Sequence, residues 1–210
     1  MIPLPFSVTL LAVLTVLVYL GCGQRVLDRM RLTSSTAIII LVLMVLGHFL
    51  PTIPVGTSMA FNLGALIPLG VVGYLLLTTS NQERQRAILV SALTALGVVL
   101  SDKLLPPDPG ILDPVFSGGI FAGLVAYLWG RSRRSAFIAG ILGVLLADLV
   151  AFVQLRTEQL PQRITFGGGG LFSSAVISPF LAVIIAEVIG EIREYLHRQN
   201  RVKQGGDDFE

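Results

Sequence analysis

Seven apolar stretches, separated by loops of alternating arginine content, constrain this chain more than any other feature. They run over Ile2–Leu20, Thr36–Leu50, Phe61–Thr78, Ala87–Leu100, Val115–Trp129, Ser135–Leu155 and Leu171–Gly190. A helix needs about 20 apolar residues to cross a bilayer core; each stretch approaches that, although the second, fourth and fifth are short. The loops then set orientation. Arg25, Arg29 and Arg31 follow the first stretch, and no basic residue follows the second. Arg84 and Arg86 follow the third, Lys103 the fourth, and Arg131, Arg133 and Arg134 the fifth. Arg156 and Arg163 follow the sixth; Arg193, Arg198, Arg201 and Lys203 follow the last. Twelve of the fifteen basic residues therefore fall on one side and three on the other. The basic side of a membrane protein faces the cytoplasm. The expected fold is all-α: a polytopic membrane protein of about seven transmembrane helices, N-terminus outside and C-terminus cytoplasmic. Residues 1–190 form a single transmembrane domain, and 191–210 a cytoplasmic helical tail with a frayed end. The expected location is the inner, cytoplasmic membrane.

Composition agrees. Charged residues make up 13% of the chain and hydrophobic ones 53%, against about 25% charged in a soluble domain. The net charge of +2 comes from the basic loops and reflects topology. Nucleic acid is excluded as a partner, since no basic stripe interleaves with aromatics. Cys22 is the one cysteine, so neither an internal disulfide nor a Cys-rich metal site can form. Tyr19-Leu20-Gly21-Cys22 faintly resembles a lipoprotein cleavage box, but Met1–Pro5 lacks the positive charge of a secretory signal. Ile2–Leu20 is read as a retained first helix. No cofactor is called for. A zinc enzyme is disfavoured: there is no His-Glu-x-x-His, and His48 and His197 fall on opposite sides.

Punctuation fills in the loops. Gly21–Ser35 reads as a cytoplasmic loop in which Thr33, Ser34 and Ser35 can cap the next helix. Pro51–Gly56 is a turn-rich outer loop. Pro68 is expected to kink the third helix or free a carbonyl. Asn81–Arg86 is a polar inner turn, and Pro106–Pro114 a stiff outer loop. The last helix is expected to continue into Glu191–Arg201, with Glu194 and Arg198 as an i,i+4 pair. Small residues mark packing faces: Gly119 and Gly123 on one helix, Ala139, Gly143 and Ala147 on the next. They serve packing inside the bundle or, alternatively, a homodimer seam through Gly119/Gly123 or Ala139/Gly143.

Ionisable residues at membrane depth are functional candidates, because burying them is costly. Asp148 lies 13 residues past Ser135, so about 20 Å into its helix and in the outer third of the bilayer. Its apolar neighbours require it to face the bundle, meet a partner or stay protonated; a hydrogen-bond anchor between helices is the structural alternative. Asp102, beside Lys103, ends the fourth helix on the same side. His48 and Asn62 also fall there. Gly167, Gly168, Gly169 and Gly170 precede the last helix, where close backbone approach and free N–H groups favour a ligand; a hinge is the alternative. Ser173 and Ser174 add hydroxyls. Together these residues predict an outward polar cavity. Glu187, at the other end, reads as snorkelling or pairing with Arg193.

Three strings carry a family resemblance. Phe61-Asn-Leu-Gly-Ala-Leu-Ile-Pro68, after His48-Phe-Leu-Pro-Thr-Ile-Pro54, resembles the Asn-x-Gly-Gly-Ala-x-Ile-Pro signature of an uncharacterised prokaryotic membrane family, a domain of unknown function. Leu146-Ala-Asp148-Leu is similar to that family's Gly-Ala-Asp-Leu step. Gly167–Ser174 is similar to its Gly-Gly-Ala-Gly-x-Phe-Asp-Gly stretch. The resemblance covers roughly 46–190 and implies a multi-pass membrane protein. Ser173 stands where the family pattern has aspartate, so any activity needing that carboxylate is in doubt.

Three functions compete. The first is a small permease or ion-coupled protein, with Asp148 binding a proton or cation and Asn62, His48, Gly167–Gly170 and Ser173 lining the path; its ligand is an unidentified ion or small molecule. The second is an intramembrane aspartyl protease using Asp102 and Asp148 as a proton-sharing dyad. The third is a non-catalytic scaffold or accessory subunit. The balance leans away from an enzyme.

Overall fold

A computed structural model describes residues 6–21, 23–54, 59–104, 114–130, 132–157, 164–166 and 169–204. The described residues form eight α-helices, one 3-10 turn and three short strands. Helix α1 (Phe6–Tyr19) and helix α2 (Gln24–Met30) meet at 97°. The bend falls where Gly21 and Gly23 take φ of 80° and 81°, a conformation that costs glycine nothing. The expected cytoplasmic loop is therefore largely helix. Helix α3 (Ser34–His48) starts at the predicted cap: the Thr33 hydroxyl accepts from the Thr36 N–H at 3.2 Å, satisfying a donor that the helix leaves open.

Strands β1 (Thr52–Pro54) and β2 (Met59–Asn62) then form an antiparallel pair, with Ile53 opposite Phe61. Strand β3 (Ile164–Phe166) adds parallel to β2, Phe61 opposite Phe166, completing a three-stranded sheet in the order β1-β2-β3. The apolar stretch expected to begin a helix at Phe61 starts instead as strand. It passes through a 3-10 turn (Leu63–Ala65) into α4 (Leu66–Leu77). Pro68 falls in the first turn of α4, where its missing N–H costs no intrahelical bond, so the expected kink is not needed.

Helices α5 (Asn81–Leu104), α6 (Pro114–Gly130), α7 (Arg133–Thr157) and α8 (Gly169–Gln204) follow. Helix α5 begins six residues before the apolar run, at Asn81, because Glu83 in its first turn suits the helix dipole and Arg84 reaches Asn81 at 2.8 Å. Helix α8 runs unbroken through Gly190 to Gln204. The stiff loop expected over Pro106–Pro114 lies outside the described residues up to Asp113, as does Cys22.

The core has two textures. Where α5 to α8 pack, it is built of small side chains, with Ala122, Ala126, Ala136, Ala139, Ala182 and Ala186 fully buried. Small residues let helix backbones approach closely. Gly119 and Gly123 of α6 lie against α8, and Gly143 of α7 lies against Thr94 of α5. The chain's own helices thus occupy the small-residue faces read from the sequence. Around α1, α3 and α4 the core uses larger groups, among them Leu11, Met44, Leu75 and Ile138. Three helical segments, Asn81–Leu104, Arg133–Gln154 and Ala175–Leu196, are long and apolar enough to cross a membrane, and the bent α1–α2 pair makes a fourth if counted as one span. Ser34–Gly47, Leu63–Leu77 and Phe116–Trp129 are apolar but shorter. The architecture is helical and fits an integral membrane protein.

Candidate functional site

Polar chemistry gathers at the two ends of the bundle. At one end the contacts are ionic. Arg133 Nε donates to Glu187 Oε2 at 2.7 Å, with both side chains nearly buried. Arg29, on α2, reaches Glu187 at 3.2 Å and Glu194 at 3.8 Å. Arg25 reaches Glu191 at 3.0 Å, well exposed. Glu187 thus meets Arg133 and Arg29 in these contacts, where Arg193 was the partner expected, and it ties α2 and α7 to α8. The Arg198 side chain, expected opposite Glu194, lies outside the described residues.

Arg134, on the next position of α7, is 3% exposed. It donates to the Leu75 carbonyl at 3.0 Å and to the Thr78 hydroxyl. Thr79 donates to the same Leu75 carbonyl at 2.6 Å. That carbonyl belongs to the last turn of α4, which has no helical donor left for it and favours a cation. Ser132 donates to Glu83 at 2.6 Å, so the N-termini of α5 and α7 lie at this end and the two helices run parallel.

Because they run parallel, the later turns of α5 and α7 share the opposite end, and this brings Asp102 and Asp148 toward each other. Ala147 packs with Ala95 and Val98 of α5. Asp148 is the next residue and Asp102 lies one turn beyond Val98. The Asp102 carboxylate is exposed and within electrostatic reach of Asp148. Asp148 Oδ2 is buried and accepts no hydrogen bond among the described residues. A buried carboxylate oxygen in that state calls for a proton, a cation or a polar visitor. The hydroxyls of α5 do not supply it: Ser91, Thr94 and Ser101 donate to the carbonyls of Ala87, Val90 and Gly97, each one turn back, a habit of Ser and Thr inside helices.

The sheet belongs to the Asp148 end as well, since it joins the end of α3, the start of α4 and the segment after α7. Asn62 is the last residue of β2. Its strand pairs with β3, and Asn62 lies one residue beyond the Phe61–Phe166 pair that ends the register. Gly167 and Gly168 lie outside the described residues, whereas Gly169 and Gly170 open α8. The side chains of His48, Asn62, Ser173 and Ser174 also lie outside them. Within the described residues no group of three His, Cys, Asp or Glu is placed to hold a metal.

Two features escaped the sequence reading. Pro179 sits inside α8 and cannot donate to the carbonyl four residues earlier. Gly140 of α7 accommodates it: a methyl group there would stand 2.5 Å from Pro179 Cα. Ser178 beside it is fully buried, and its hydroxyl has no partner among the described residues. A proline in an apolar run was the available signal.

Residues 25–185 match the model of a family described as a protein of unknown function, DUF1614. The match spans well over half the chain, and the chain belongs to that family. No curated protein matches it, and no solved structure does.

Proposed function

For this DUF1614 protein we propose a multi-pass protein of the cytoplasmic membrane, a small permease or ion-coupled protein in which Asp148 binds a proton or a monovalent cation. Seven passes, with the N-terminus outside, follow from the alternation of the loop arginines. The ionic end then faces the cytoplasm, and Asp148, Asp102, Asn62 and the glycine run gather at the outer end. The observation that carries the ion-binding reading is the buried oxygen of Asp148, without a hydrogen-bond partner among the described residues, at the end of the α5–α7 pair where Asp102 also lies. Asp102, exposed at the mouth, draws cations in; Asp148, deeper, holds one. This asymmetry favours ion binding over an aspartyl dyad, in which both carboxyls share one proton in equivalent surroundings.

The test is chemical. Dicyclohexylcarbodiimide adds to protonated carboxyls in apolar surroundings. In lipid vesicles it is expected to modify Asp148 at acid pH, with sodium or potassium ions slowing the reaction. Asp148→Asn should abolish the adduct while leaving the fold intact. An unmodified Asp148 at acid pH would overturn the reading. If Asp148→Asn also lowers the melting temperature sharply, the carboxyl is helix-to-helix glue, as a scaffold would use it.

A further inference from the structure

The ionic end borders an apolar crevice that the ion-binding reading does not use. Its volume is ≈ 240 Å³, and its walls come from α1, α2, α3, α7 and α8. Leu41 and Phe137 at its floor are buried, whereas Leu17 of α1 and Ile184 of α8 are 40% and 55% exposed. The crevice therefore opens sideways between α1 and α8. Phe137 and Phe180 meet edge to face at 5.5 Å and stiffen its inner wall. Water has no partner in such a lining, and left empty it forfeits dispersion contacts. An acyl chain supplies them.

The mouth carries charge. A second cavity of ≈ 390 Å³ is lined by Arg25, Arg29, Glu191, Glu194 and Tyr195. The two cavities draw on the same two helices through different residues: Arg25 and Arg29 adjoin Val26 and Met30 on α2, and Glu191 lies two turns past Ile184 on α8. The charged side chains lining this second cavity are two arginines, 25 and 29, and two glutamates, 191 and 194. That set is electrically balanced. An anionic headgroup would meet Glu191 and Glu194 unfavourably. A zwitterionic one keeps the balance, with phosphate on guanidinium and ammonium on carboxylate. The Arg25–Glu191 pair is exposed at both side chains; such pairs contribute little, so this one opens at small cost to admit both halves of a headgroup.

We propose that a phospholipid with a primary ammonium headgroup binds here, one acyl chain in the crevice and its head among Arg25, Arg29, Glu191 and Glu194. Choline headgroups cannot donate hydrogen bonds to the glutamates, and glycerol headgroups lack the cation. The test uses the full chain in detergent, titrated with phosphatidylethanolamine, phosphatidylcholine and phosphatidylglycerol of identical acyl chains and read by native mass spectrometry. Phosphatidylethanolamine is expected to bind about fivefold more tightly than phosphatidylglycerol. Glu191→Gln with Glu194→Gln should erase that preference, and Ala37→Phe, which fills the crevice, should weaken all three lipids. Equal binding of the three, a preference for phosphatidylglycerol, or a preference that survives the glutamate variant overturns the proposal. The glutamates are exposed, so the decisive variant keeps its fold even where the crevice variant does not.

Discussion

Gly140 and Gly70 occupy helices of one bundle, yet a methyl group means opposite things at the two positions. At Gly140 it would stand 2.5 Å from Pro179 Cα and 2.7 Å from its nitrogen, backbone atoms that cannot turn aside. At Gly70 it would meet nothing within 4 Å. Gly140→Ala is therefore expected to destabilise the protein by about 1–3 kcal/mol through overpacking. Gly70→Ala should stabilise it by about 0.5–1 kcal/mol, because alanine loses less backbone freedom in a helix. Unfolding in mixed detergent micelles measures both; equal effects would mean that α7 and α8 do not pack at Pro179. The same reasoning applies to Arg134, whose guanidinium closes the last turn of α4 through Leu75 and Thr78. Its value lies in position, so Arg134→Lys, which keeps the charge and loses the fork, should still be destabilising.

The link of α2 to α8 is where burial decides what an ion pair is worth. Glu187 is 13% exposed at its side chain and faces Arg133 and Arg29, while Glu191 is 53% exposed and faces Arg25. Glu187→Ala leaves a nearly buried arginine without its counter-charge and is expected to cost about 3 kcal/mol. Glu191→Ala should cost under about 1 kcal/mol. Unfolding midpoints of the two variants separate these outcomes, and comparable losses would show that Glu187 is solvated like its neighbour. Helix α2 also shows where the sequence was illegible. Seven residues carrying two arginines and an aspartate read as loop on polarity alone, and it is the packing of buried Leu27 and Met30 against α7 and α3 that holds them as helix. Helix α5 hid its first turns for the same reason. The strands were missed because Met59–Asn62 is continuous with an apolar run, and periodicity cannot divide four residues of strand from the helix that follows. Apolar helix cores, the Thr33 cap and the small-residue faces were legible, since each depends on local composition. The pairing of α5 with α7, which brings Asp102 toward Asp148, depends on tertiary packing that no local signal carries. For Glu187 the sequence points to Arg193, whereas Arg133 and Arg29 are the partners, because an acidic residue near a helix end has many partners within reach and sequence does not rank them.

At the scale of the whole molecule, the two ends have different chemistry and the bundle between them has uneven length. Helix α4 has twelve residues and so spans ~18 Å, short of a hydrocarbon core of ~30 Å. Its 3-10 turn and β2 extend it at one end, where β1 and β3 satisfy the backbone that a lone strand would expose. Irregular backbone is tolerated at membrane depth only when protein or a water-filled cavity covers it, and here the strands cover one another at the Asp148 end of the bundle. Topology then becomes a sharp prediction, and one native cysteine makes it practicable. With Cys22 replaced by alanine, cysteine introduced at Thr52, on exposed β1, should react with a membrane-impermeant maleimide in intact cells. Cysteine at Ser80, between α4 and α5, or at Gln199, late in α8, should react only after permeabilisation. Labelling of Ser80 and Thr52 from the same side would require α4 to re-enter the face it left. The arginine alternation would then no longer describe the fold, and Asp148 would lose its outward access. Labelling of Thr52 in intact cells, with Ser80 reached only after permeabilisation, would put the Asp148 end outside, where the proposed site meets external protons and cations.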